Sequence, residues 1–149
     1  MAERDAQRVA ERVRDHMWQS DRASRGLGME VVAIGPGTCT MRMAVREDML
    51  NGHGSAQGGL VTALADSCFA FACNAYDEIT VAAGFDVQLI APGRLGDVLT
   101  ACAVEISRSG RLGVYDVDVR NQRDERVCAF RGRSYTLKGK PVLPPDHRD

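Results

Sequence analysis

Between residues 54 and 76 the chain carries one charged side chain, Asp66, among Leu60, Val61, Leu64, Phe69, Phe71 and their alanine and cysteine neighbours. A segment apolar on every side is a buried helix or a membrane span. The central carboxylate, the polar Thr62, Ser67 and Asn74, and the strand-forming sequence on both flanks select the buried helix. Such a helix needs cover all round, and that need constrains everything else the chain can form.

The cover comes from strands. Residues 29–34 form a first strand, Gly35-Pro36-Gly37 a turn, and 38–45 a second strand with Cys39, Met41, Met43 and Val45 on one face. After Tyr76 four more alternating segments follow. Phe85, Val87 and Leu89 oppose Asp86 and Gln88. Val98, Thr100, Cys102, Val104 and Ile106 share a face. Tyr115, Val117 and Val119 oppose Asp116, Asp118 and Arg120, and 127–137 is the last strand. Short connections at Pro92-Gly93, Ser109-Gly110 and 121–125 make neighbours antiparallel. The expected architecture is α+β: one long buried helix wrapped by a curved antiparallel sheet of about six strands.

Ahead of it, Ala6, Ala10, Val13 and Met17 recur at helical steps, so 2–26 is an N-terminal surface helical segment. With 149 residues, a single domain is expected over 1–138, followed by a Pro-rich tail, 139–149, expected to be mobile. Nineteen basic residues against twenty acidic ones argue against a broadly basic nucleic-acid binder. The charged Met1-Ala2-Glu3-Arg4-Asp5 has no apolar run behind it, so no signal peptide and no membrane partner are expected. Five scattered cysteines with no CxxC give no disulfide framework and no structural zinc, which suits the cytoplasm.

Asp66 is the first candidate for chemistry. Burying an unpaired polar group costs roughly 2–7 kcal/mol, and a bare charge costs more. Either Asp66 anchors the core through a nearby backbone or hydroxyl group, or it is a catalytic carboxylate with a shifted pKa. The second candidate is Gly58-Gly59, which opens the helix. A helix start presents unpaired N–H groups and partial positive charge, and glycine lets a ligand oxygen come close. Gly58 and Asp66 are eight residues apart, about 12 Å along one helix axis. Acting on one carbonyl, they must come from different subunits, which predicts a homo-oligomer with sites across its interface.

Several motifs then come together: Asn51-Gly52-His53, the glycine pair, Leu64-Ala65-Asp66-Ser67-Cys68-Phe69-Ala70, Pro92-Gly93, Gly96-Asp97, Gly113-Val114-Tyr115-Asp116-Val117 and Phe130-Arg131-Gly132. Together they resemble the hotdog-fold acyl-CoA thioesterases of phenylacetate degradation, over about residues 28–137. The resemblance implies hydrolysis of phenylacetyl-CoA or ring-hydroxylated phenylacetyl-CoA by a dimer or dimer of dimers. No cofactor or metal is implied beyond the coenzyme A of the substrate. Asp66 takes the place of the catalytic carboxylate and Gly58 that of the backbone donor to the thioester carbonyl. Asn51 matches a polar loop residue near the site, and His53 the histidine of the loop motif. Gly59 and Gln57 flank the donor, and Ser67 stands beside the acid, facing water, the carboxylate or its own helix turn.

The chain departs from that pattern twice. Gln57 stands where the family has histidine, so this position cannot change charge near neutral pH. Ala91 stands where the family has arginine before Pro-Gly. Arg108, Arg111, Arg131 and Arg133 are candidates for the coenzyme A phosphates, or members of a solvated sheet face. Phe69 and Phe71 line the acyl pocket or fill the core. The alternatives are a thioesterase for other aryl or medium-chain acyl-CoAs and a non-catalytic acyl-CoA-binding module. A hotdog dehydratase needs a histidine working with the helix carboxylate, and none lies on this helix.

Overall fold

The computed structural model describes residues 1–147. Helix α1 (Ala2–Ser20) buries Ala10 and Val13 and leaves Arg4 and Arg8 in solvent, as its apolar spacing requires. Asp21 caps the short helix α2 (Arg22–Gly26) by accepting from the Ser24 N–H at 2.9 Å. Then come β1 (Glu30–Gly35), β2 (Thr38–Ala44), the central helix α3 (Gly58–Asn74), β3 (Thr80–Leu89), β4 (Val98–Ser109), β5 (Leu112–Arg120) and β6 (Arg126–Thr136). Two single 3-10 turns, Glu47–Met49 and Pro145–His147, complete the elements.

The six strands form one antiparallel sheet in the order β1-β2-β4-β5-β6-β3, and α3 packs against all of them. This is the hotdog fold expected from the sequence. Bulges at Val31/Ala33, Ala82/Gly84 and Glu105/Ser107 bend β1, β3 and β4 and let the sheet curl around the helix. Gly132 shows how tight the wrap is. A Cβ there would fall 2.8 Å from the Phe69 ring, so only glycine lets β6 pass beneath it. Phe69 and Phe71 are both core residues, 1% exposed. Burying each is worth about 1.5–3 kcal/mol. On β4 the face of Val98, Cys102, Val104 and Ile106 turns outward, and Leu99, Ala101 and Ala103 turn inward.

Two features of this architecture matter for function. First, α3 is not enclosed on every side: Gly59 is exposed, and Ala63, Asp66 and Ala70 form a half-buried strip. Second, the two sheet edges differ. At β1, helix α1 packs alongside and the Gln7 side chain donates to the Ile34 carbonyl at 2.8 Å. At β3, no described strand pairs with the outer edge. Past β6 the chain turns back. The Ile79 N–H donates to the Lys140 carbonyl, the Leu143 N–H donates to Asp77 Oδ1 at 2.7 Å, and Leu143 is buried. Arg148 and Asp149, the end of the expected tail, lie outside the described residues. Among the described residues no helix is long and apolar enough to cross a membrane.

Candidate active site

The head of α3 is built from three segments held by backbone hydrogen bonds. Gln57 is extended (φ −55, ψ 126) and no side chain caps the helix, so the N–H groups of Gly58 and Gly59 have no acceptor within it. The Gln57 N–H donates to the Met49 carbonyl, and the Ala56 N–H donates to the Gly93 carbonyl, both at 2.8 Å. These bonds pin the loop before the helix to the Pro92-Gly93 turn. Asn51 organises the loop: its Oδ1 accepts from the N–H groups of His53 (2.9 Å) and Ser55 (3.3 Å), and its Nδ2 donates to Ser55 Oγ (3.3 Å).

These segments enclose a cavity of about 290 Å³. Gly58 and Val61 line it from the helix, Leu89 to Gly93 from the end of β3, and Asn51 and Ser55 from the loop. Its wall is apolar apart from that loop pair, and no charged side chain faces it. A Cβ at Gly58 would fall 2.5 Å from Leu89 Cδ1, so the helix head and the end of β3 touch at this residue. A larger cavity, about 600 Å³, lies on the outer face of the sheet. Asp116–Arg131 and Asp118–Arg126 ion pairs line it, and of the residues expected to touch substrate it holds only Arg131.

Asp66 is not in the cavity at the helix head. It stands half-buried midway along α3, and burial pushes its carboxyl pKa above the ordinary carboxylate value. Among the described residues it makes no hydrogen bond and no ion pair, so the anchoring role is not the one it plays. Ser67 does not face it either. The Ser67 hydroxyl pairs with Ser24 Oγ at 2.8 Å, and Ser24 in turn donates to Asp21 Oδ2 at 2.7 Å, which ties α3 to α2. His53, Gln57 and Gly59 are exposed around the helix head. Asn51 and Gly58 therefore meet at one cavity, and Asp66 belongs to a different stretch of surface.

Three of the four candidate phosphate arginines are engaged. Arg131 makes a two-pronged pair with Asp116 (2.6 and 2.8 Å), Arg108 stacks 3.6 Å over the Tyr76 ring, and Arg111 reaches the Thr136 carbonyl at 3.5 Å. Arg133 lies over Gly84, where a Cβ would meet its Nη2 at 2.6 Å. Sequence reasoning missed Ser55 and the wall at Leu89 and Ile90. Both wall residues are 55% exposed, and two large apolar residues together at the end of a strand were the available signal. It also missed Glu105, whose Oε2 accepts from both Tyr76 (2.7 Å) and Tyr115 (3.0 Å). Burial and Glu105 push the Tyr76 pKa up to about 12 and raise that of Tyr115 as well, so both hydroxyls keep their protons and donate to Glu105, a packing role. Among the described residues no three His, Cys, Asp or Glu side chains gather as metal ligands.

Comparison with known proteins places the chain in a family and agrees with its fold. The family model described as "Thioesterase superfamily" matches residues 53–128. The acyl-coenzyme A thioesterase PaaI of Escherichia coli K12 is 37% identical over 123 residues, covering 83% of this chain and 88% of that protein. The solved structure of the Escherichia coli PaaI protein, from its phenylacetic acid degradation operon, superposes with a TM-score of 0.87 at 34% identity. It covers 89% of this chain and 96% of its own. A mutant of the phenylacetic acid degradation protein PaaI from Thermus thermophilus superposes with a TM-score of 0.76 at 35% identity, covering 78% of this chain and 100% of its own.

Proposed function

The chain belongs to the thioesterase superfamily and is an acyl-CoA thioesterase, and from that premise we propose that it hydrolyses phenylacetyl-CoA or its ring-hydroxylated relatives at a site shared by two subunits. The observation that carries this reading is the separation of the two reactive features. The unclaimed amides and the cavity lie at the head of α3, and the partnerless carboxylate lies about 12 Å further along. Each is half of a site.

The Gly58 N–H donates to the thioester carbonyl oxygen as negative charge develops there. One such donor contributes about 2.7–4 kcal/mol to the transition state. Asp66 of a second copy acts on the carbonyl carbon. It takes a proton from the attacking water, or it attacks the carbon itself to give an anhydride that water then opens. In either route the coenzyme A thiolate leaves and is protonated to the free thiol. Asn51 holds the loop that shapes the cavity, and Gln57, Gly59 and His53 flank its mouth on the coenzyme A side.

A second copy is supported by the surface around these groups. The outer edge of β3 has no described partner, and Phe85 (41% exposed), Leu89 and Ile90 stand along it. An unpaired strand edge with apolar side chains is a template for another strand. The acyl class is supported by the cavity, whose described lining is uncharged and apolar apart from the Asn51–Ser55 pair, a hydrogen-bonding partner for a ring hydroxyl. Thiol release measured with phenylacetyl-CoA, its hydroxylated relatives, benzoyl-CoA and straight-chain acyl-CoAs tests this. The phenylacetyl group of substrates should give the highest kcat/KM, and a better straight-chain substrate would overturn the assignment.

A further inference from the structure

We propose that Leu89 selects the acyl group at the carbon next to the carbonyl: it admits a plain CH2 there and rejects a branched carbon. The inference rests on the reading of Gly58 as the carbonyl donor. Leu89 ends β3 and faces inward opposite Cys128, yet its side chain is 55% exposed because it looks into the cavity. Its Cδ1 bounds the space directly above Gly58, 2.5 Å from where a Cβ would sit. The strand end that carries it is held in place. The Val127 carbonyl accepts from both the Ile90 N–H (2.8 Å) and the Ala91 N–H (3.3 Å).

A carbonyl oxygen bonded to the Gly58 N–H lies about 2.9 Å from that nitrogen. The carbonyl carbon and its neighbour then lie beside the Gly58 backbone, under the Leu89 methyl group. A CH2 passes, but an added methyl needs about 4 Å from the nearest carbon and finds Leu89 there. Past Leu89 the wall is apolar, with Ala56, Val61, Ile90, Pro92 and Val127 around it. The shape suits an apolar, uncharged body carried on a single CH2.

The test compares phenylacetyl-CoA with 2-phenylpropanoyl-CoA, which differ by one methyl at that carbon. The readout is the ratio of kcat/KM in wild type, Leu89→Ala and Leu89→Phe. Wild type should prefer the unbranched ester about tenfold or more. Leu89→Ala should shrink that preference about tenfold, and Leu89→Phe should widen it. The same ratio in all three enzymes overturns the inference. Because the ratio compares two substrates on one enzyme, it separates this inference from the catalytic reading. A Gly58→Pro enzyme with normal turnover would defeat that reading and leave a shifted ratio standing, whereas a flat ratio beside an inactive Gly58→Pro enzyme defeats Leu89 selection alone.

Discussion

The head of α3 and its middle are made of the same chain yet prepared in opposite ways. At the head, backbone bonds from Gln57 and Ala56 lock three segments together, the cavity is formed within one chain, and the reactive groups are amides. At the middle, Asp66 has no partner among the described residues, sits on a half-open strip, and has its pKa raised because burial disfavours its charge. In the proposed mechanism the head is a binding place lacking a base, and the middle is a base lacking anything to bind. Preorganised amides lower a barrier only when a nucleophile or base reaches the same carbon, so the contrast points to a pairing that a single chain does not make.

Four changes probe this contrast. The largest effect is expected at the middle: Asp66→Asn should lower kcat by about 10²–10⁴-fold, the range for a positioned acid or base, with the far-ultraviolet spectrum unchanged. Next comes the head. Gly58 is the first residue of α3 and Gln57 already has the extended backbone that precedes proline, so Gly58→Pro removes the N–H while the helix tolerates the ring. A kcat loss of about 10²–10³-fold is expected. Gly58→Ala keeps the donor and only displaces the end of Leu89, so it should cost less. Co-expressing Asp66→Asn with Gly58→Pro should restore activity at about a quarter of the sites, since half the dimers are mixed and each rebuilds one site. No recovery in isolated mixed dimers would place both groups in one chain.

The third effect is a pH dependence. In the proposed mechanism Asp66 acts ionised, and burial raises its pKa, so activity should fall with acidification through a pKa above the ordinary carboxylate value of 3.8. Stability moves the other way. A group whose folded-state pKa is raised stabilises below its unfolded pKa and loses that contribution as pH rises through the folded value. Asp66→Asn should therefore raise the melting temperature at pH 7, with the gap closing in acid. The smallest effect lies away from both regions. Ser24→Ala breaks the Asp21–Ser24–Ser67 chain and should cost about 1–3 kcal/mol by chemical denaturation without changing the pH profile of catalysis.

Much of this was legible in the sequence. Alternation in 38–45 and around Tyr115, Val117 and Val119 announced strands with one covered face. The apolar run around Asp66 announced the helix they wrap, because side-chain periodicity is a local property. The head of the site was legible through Gly58 and Asn51. The other predicted contacts were less so. Ser67 binds a residue 43 positions earlier, and the Val98 to Ile106 face of β4 turned out to be the outer one. No local pattern says which of two alternating faces meets a helix when both carry apolar residues.

The sequence by itself determined that one helix must be enclosed by strands and that a lone acid stands eight residues beyond a glycine pair. Only the tertiary structure decided that Leu89 rests on Gly58, that the Pro92-Gly93 turn lines the cavity, and that no described strand pairs with the outer edge of β3. The reason is physical. Periodicity along a chain sets which way each side chain points, whereas contacts between distant segments depend on register, bulges and the volume left between packed elements.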